Sequence, residues 1–141
     1  MRYIISERQY KLLSEQEEQI LRVPFVAFGN DWDVLQRFLN RRGNPPYMIM
    51  DDLDLFRAKI ESLGELTSVG GYLDLGGSEI ESLGNLTSVG GYLNLRFSEI
   101  KSLGNLTSVG GNLILRKTPL SREYSEEEIR SMVEVRGDVY L

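Results

Sequence analysis

The residues with the clearest chemical potential in this chain are four carboxylates, Asp51, Asp52, Asp54 and Asp74. Asp54 and Asp74 occupy the same place in a repeating phrase, so they are expected on adjacent strands, about 5 Å apart at the backbone. A carboxylate pair at that spacing can divide acid and base roles in hydrolysis, and a tighter group can hold a cation. A hard cation, however, needs several oxygens converging from a closed loop, whereas alternate residues of a strand point to opposite faces. The cluster therefore reads as solvated carboxylates, with no metal and no other cofactor expected. The chain contains no histidine and no cysteine, which removes thiolate nucleophiles, disulfides, Cys/His zinc sites and histidine-based acid/base schemes. A carboxylate-based hydrolase is the weakest reading, because a short sheet offers no evident pocket in which water is excluded and pKa values are perturbed.

What must position these groups is a twenty-residue unit: IESLGELTSVGGYLDLGGSE from Ile60, IESLGNLTSVGGYLNLRFSE from Ile80 and IKSLGNLTSVGGNLILRKTP from Ile100. Such a unit cannot bury its apolar side alone, so neighbouring copies must stack and share one core. Aligned copies place Leu53/Leu73/Leu93/Leu113, Leu55/Leu75/Leu95/Leu115, Ile60/Ile80/Ile100/Leu120, Leu63/Leu83/Leu103, Leu66/Leu86/Leu106 and Val69/Val89/Val109 in apolar columns. The Leu-x-Leu pair alternates with period two and predicts a short strand with both leucines inward. Gly70-Gly71, Gly90-Gly91 and Gly110-Gly111 predict a sharp corner before each strand, where positive φ or the lack of a side chain is needed. Gly64, Gly84 and Gly104 predict a second corner. In the small column Ala58/Ser78/Ser98/Thr118 the hydroxyls of Ser78, Ser98 and Thr118 are expected to bond the neighbouring copy's backbone.

The register extends outward in both directions. Ile49 to Leu55 and Val135 to Leu141 each fit the strand segment, so five parallel strands are predicted near 52–55, 72–75, 92–95, 112–115 and 138–141. The last interval is longer and contains Ser125-Glu126-Glu127-Glu128-Ile129, a capping box that predicts a helix. Upstream, Ser6 with Gln9 predicts a helix through about Val23, and Asp31 starts another through about Arg42, stopped by Gly43 and Pro45-Pro46. Phe25, Phe28, Trp32, Leu35, Phe38 and Leu39 are expected to be buried as a helical lid over the first copy rather than to form a binding patch. The organisation is one compact unit: a helical cap over 1–44, repeats over 45–121, and a capping helix with the last strand over 122–141. The fold class expected is an α+β solenoid of about five short parallel strands, capped at both ends.

The 141 residues carry a net charge of −5 and a pI near 4.8, which disfavours nucleic acid and other acidic partners, since those interfaces depend on basic contacts. No stretch approaches a membrane span or the apolar core of a signal peptide, so a cytoplasmic protein is expected. Asn85 and Asn105 head Asn-Leu-Thr sequons, but their fixed place in the repeat makes them turn residues.

The pattern Leu-x-Leu-x-x-Ser/Thr-x-Ile-x-x-Leu resembles leucine-rich repeats, and Leu-Thr-Ser-Val-Gly-Gly-Tyr-Leu is similar to the coils of receptor L domains. That resemblance covers about 50–141 and implies a right-handed leucine-rich-repeat-like solenoid, with Ser78, Ser98 and Thr118 where the family carries asparagine. The opening Arg2 to Tyr10 and the closing Thr118 to Arg130 resemble small uncharacterised repeat proteins of tailed bacteriophages. This implies a phage factor in the host cytoplasm that engages or inhibits a host protein, with no known activity attached.

Between the inward leucines run outward ladders, Asp52/Tyr72/Tyr92/Asn112/Asp138 and Asp54/Asp74/Asn94/Ile114/Tyr140, flanked by Phe56/Gly76/Arg96/Arg116 and Arg57/Gly77/Phe97/Lys117. The core columns are nearly invariant while these positions differ from copy to copy, as expected of a specific binding face. The candidate partner-binding residues are Asp54, Tyr72, Asp74, Tyr92, Asn94, Arg96, Phe97, Asn112, Ile114 and Arg116, and the expected partner is a protein. Two alternatives stand beside this one. Stacked tyrosines can simply stabilise a sheet, and the final strand can leave an open edge for a homodimer.

Overall fold

Leucines at alternate positions of a strand need a partner strand on each side to satisfy the intervening backbone, and the repeat supplies one every twenty residues. In the computed structural model, which describes residues 20–141, the Leu-x-Leu segments form β3 (Leu53–Asp54), β5 (Leu73–Asp74), β7 (Leu93–Asn94), β9 (Leu113–Ile114) and β11 (Val139–Tyr140). They pair in parallel in that order, with Leu53, Leu73, Leu93, Leu113 and Val139 in one row. All five of these side chains are buried.

Each repeat also contributes to a second parallel sheet that the sequence reading treated only as core positions and a corner. Its strands are β1 (Leu21–Val23), β2 (Tyr47–Ile49), β4 (Leu66–Val69), β6 (Ser88–Val89), β8 (Ser108–Val109) and β10 (Glu134–Val135), in the order β1-β2-β4-β6-β8-β10. Threonine hydroxyls stitch it together: Thr67 Oγ1 donates to Tyr47 O at 3.2 Å, and Thr87 and Thr107 Oγ1 each donate to the threonine carbonyl one repeat earlier at 3.0 Å. The β-branched Thr and Val of Leu-Thr-Ser-Val were the signal for these strands; two polar residues side by side between Leu and Val hid any alternation.

The chain between β1 and β2 forms a 3-10 turn (Phe25–Phe28) and α1 (Trp32–Asn40), whose first amides bond the Asp31 carboxylate. Phe25, Leu35 and Leu39 are buried, with Phe28, Trp32 and Phe38 packed against them, so the aromatic cluster lies on the repeat core. The expected helix ending near Val23 is corrected at its end, because Leu21–Val23 is a strand paired with Tyr47–Ile49. A strand here continues the sheet over the first repeat and satisfies its edge, as Leu21 N donating to Pro46 O shows. The earlier part of that expected helix lies outside the described residues. At the other end, α2 (Pro119–Glu123) and α3 (Glu126–Met132) each begin with a reciprocal capping box, Thr118 with Ser121 and Ser125 with Glu128.

One further expectation changes, and for the Gly-Gly corners the structure decides between the two reasons offered. Ser98 Oγ and Thr118 Oγ1 donate to carbonyls of their own repeat, Leu95 O and Leu115 O, both at 2.6 Å, because the hydroxyl is nearer the turn it leaves than the adjoining repeat. Ser78 Oγ is buried with no hydrogen-bond partner among the described residues. The Gly-Gly corners keep negative φ at both glycines, so positive φ is not their reason. A Cβ at Gly90 would fall on the carbonyl oxygen of Gly70, and one at Gly110 on that of Gly90. It is the closeness of stacked backbones that demands glycine there. Positive φ belongs to the other corner, at Gly64, Gly84 and Gly104.

Candidate functional site

Every candidate residue lies on or beside the outward face of the five-stranded sheet. Parallel stacking turns each outward column into a ladder, so side chains twenty residues apart become neighbours. Tyr72 and Tyr92 stack with ring centroids 4.7 Å apart and planes 3° from parallel. Partial desolvation, then the nearby carboxylates led by Asp54, holds the Tyr72 phenol above its ordinary pKa; Tyr92 is raised by desolvation and by Asp74 in the same way. Asn112 ends the stack and turns its Oδ1 to accept from Asp138 N at 2.8 Å. Tyr92 is 37% exposed and Tyr72 half-buried.

The neighbouring ladder is largely satisfied within itself. Asp54, Asp74 and Asn94 each accept from the amide two residues on, Phe56, Gly76 and Arg96 N, at 3.0–3.1 Å. Asn94 Nδ2 also donates to Asp74 Oδ1 at 3.0 Å. Asn94 is only 8% exposed, so it joins strands instead of facing a partner. Asp51 and Asp52 likewise bond backbone: Asp51 accepts from Phe25 and Val26 N, and Asp52 from Tyr72 N. The acidic residues thus accept backbone amides while Asp52 and Asp54 remain exposed to solvent, and among the described residues no group of acidic side chains is placed to hold a metal ion. Ile114 and then Tyr140 continue this ladder with an apolar and an aromatic side chain.

Three residues after each of β3, β5, β7 and β9 the chain turns through a left-handed residue: Arg57 (φ 63°), Gly77 (φ 72°), Phe97 (φ 61°) and Lys117 (φ 61°). Glycine is the inexpensive residue for such backbone, and a bulky side chain costs about 1–2 kcal/mol there. Only one of the four is glycine. The residues before them are Phe56, Gly76, Arg96 and Arg116, and Phe56 lies over the glycine gap, where a Cβ at Gly76 would come within 2.9 Å of its ring. The corner therefore displays Phe56, 49% exposed, and Phe97, 54% exposed, among Arg57, Arg96, Arg116 and Lys117. Arg96 stands 5.2 Å from the Phe97 centroid and Arg116 5.0 Å from that of Tyr140. Among the described residues none of these four cations has a carboxylate within ion-pairing distance; the pairs present are Lys101–Glu81, Arg130–Glu126 and Arg136–Glu134.

Arg96, Phe97, Ile114 and Arg116 thus come together with two residues outside the candidate set, Lys117 and Tyr140, around an open groove of about 370 Å³. Gly77 was only a weak signal, since the adjacent column also holds one glycine, Gly76, and has no left-handed residue. A larger hollow, about 610 Å³, lies away from this face along Glu61, Glu79, Glu81 and Glu99. Neither includes Asp54 or Asp74. Among the described residues no helix is long and apolar enough to cross a membrane.

Comparison of the chain with protein-family models, with curated proteins and with solved structures gave no match.

Proposed function

We propose that the protein is a leucine-rich-repeat-like solenoid, right-handed and capped at both ends, that acts as a non-catalytic protein-binding module through the five-stranded face and its trailing corner. The observation that carries this reading is the left-handed column. Gly77 makes the turn at no steric cost, yet Arg57, Phe97 and Lys117 hold bulky side chains there, and strained backbone of this kind is a pointer to function. Tyrosine, phenylalanine and arginine are also the side chains that dominate protein interfaces. Absence of catalysis is supported by the engagement of Asp54 and Asp74 with their own turn amides. The resemblance of the two ends to phage repeat proteins extends the proposal to a factor that binds, and by occupancy inhibits, a host protein in the host cytoplasm.

The test is capture from bacterial lysate with identification of what is retained, followed by binding of the purified candidate. Tyr92→Ala with Arg96→Ala should leave the circular dichroism spectrum unchanged and abolish binding. Retained binding by the double variant removes the sheet face from consideration.

A second reading is favoured by one observation. The row of Leu53, Leu73, Leu93 and Leu113 amides donates to the following repeat, so in the same register the Val139 amide faces outward, and among the described residues no strand pairs β11 on that side. Arg130 satisfies Val135 O and Gly137 O nearby, each at 2.9 Å, but not this edge. A homodimer through β11 predicts a dimer by light scattering that is lost on deleting residues 138–141; a monomeric intact chain rejects it.

A further inference from the structure

The groove at the trailing corner of the last two repeats has a composition that narrows what it can take. Its apolar surface comes from Phe97, Ile114 and Tyr140, and its rim from Arg96, Arg116 and Lys117. The two arginines rest against aromatic rings, an arrangement that orients a guanidinium while leaving N–H groups free for a carboxylate. With no acidic side chain of the described residues pairing any of the three cations, the charge is unmet within the fold. We propose that this groove binds an acidic segment of a partner protein, whose carboxylates meet Arg96, Arg116 and Lys117 while an aromatic or aliphatic side chain between them covers Phe97, Ile114 and Tyr140. The inference rests on the protein-binding reading above and adds the chemistry of the partner.

Charge complementarity selects this occupant over a nucleic acid. The chain as a whole carries −5, and Asp54, Asp74 and Asp138 stand on the same sheet face, so a long polyanion following the sheet would leave three cations and meet carboxylates. A short acidic stretch with an apolar anchor matches both the small basic rim and the apolar surface between its members. The strain at Phe97 and Lys117 points to the same spot independently, since both left-handed residues line the groove.

The probe is a short fluorescein-labelled peptide of glutamates around a central Phe-Leu pair, titrated with the full chain by fluorescence anisotropy. Binding in the micromolar range is expected. It should weaken at least about tenfold on Arg96→Glu with Arg116→Glu, weaken as salt rises, and be absent for the matching lysine peptide. Phe97→Gly, which relieves backbone strain, should also weaken it and serves as the independent variant if the charge reversal perturbs folding. Equal binding of a glutamate peptide lacking Phe-Leu, or of a short oligothymidine, overturns the anchored acidic segment in favour of a plain polyanion site. Failure of the peptide to bind overturns it as well. If the lysate partner is still lost on Tyr92→Ala alone in that case, the sheet-face reading survives and the groove inference alone falls.

Discussion

The five-stranded sheet has a corner on either side of each strand, and the two obey opposite rules. The leading corner is Gly-Gly in every one of the three clear repeats, at ordinary negative φ, because stacked backbones leave no volume for a Cβ. The trailing corner needs left-handed backbone, for which glycine would serve, and holds Arg57, Phe97 and Lys117 instead. Glycine at the first corner is dictated by packing inside the stack. At the second corner the fold permits glycine and the chain departs from it, and the proposed partner-binding role rests on that departure.

The harshest way to probe this contrast is to insert a methyl group at the leading corner. Gly90→Ala should cost at least about 3 kcal/mol in denaturant unfolding, because the Cβ would overlap the Gly70 carbonyl oxygen and the sheets cannot separate locally. A cost below 1 kcal/mol would mean the stack yields, and the contrast would collapse.

Next in size is a pH effect that separates internal from displayed tyrosines. Tyr47 is buried, its hydroxyl donating to Leu63 O at 2.8 Å, and burial pushes its pKa up to about 12. Below pH 10 the phenol is protonated in both folded and unfolded chains. Above it the unfolded phenol ionises first, so stability should fall by about 2–3 kcal/mol between pH 10 and 12. Tyr47→Phe should flatten that limb of the pH–stability curve, and an unchanged slope would show that other groups control it.

Smaller effects divide the hydroxyl column. Ser98→Ala should cost about 1 kcal/mol by removing the bond to Leu95 O. Ser78→Ala should be neutral or slightly stabilising, since that hydroxyl is buried with no partner among the described residues. Equal costs in thermal melts would refute the difference drawn between them.

The smallest change has the most telling sign. Phe97→Gly should raise stability by about 0.5–1 kcal/mol, the relief of left-handed strain less the extra freedom of glycine in the unfolded chain. Loss of stability would mean that Phe97 supports the fold, and the trailing corner would then resemble the leading one.

Much of the fold was legible in the chain before any coordinates. Twenty-residue self-similarity requires stacking, Leu-x-Leu reports a strand with one buried face, and Ser125 with Glu128 reports a helix start; each of these is local chemistry, carried by residues close in sequence. The second sheet was legible only in the β-branched Thr and Val, because Leu-Thr-Ser-Val sets two polar residues between two apolar ones and so shows no alternation. The end of the first expected helix was misread at Leu21–Val23 because pairing with Tyr47–Ile49 is a contact across more than twenty residues, which local propensity cannot register.

The candidate face was legible as a set of positions that vary while the core does not. What those residues do was not. Asn94 and Tyr92 looked alike as ladder members, yet one is bonded between strands and the other is displayed. The net charge of −5 argued against acidic partners, whereas stacking gathers Arg96, Arg116 and Lys117 in one groove. The amino-acid sequence determined the period, the inward leucines and the positions of the corners, since these follow from alternation and from neighbours along the chain. Only the tertiary structure decided why each corner has its residues and which charges meet, because backbone clearance and electrostatic pairing depend on atoms twenty residues apart brought within a few ångströms.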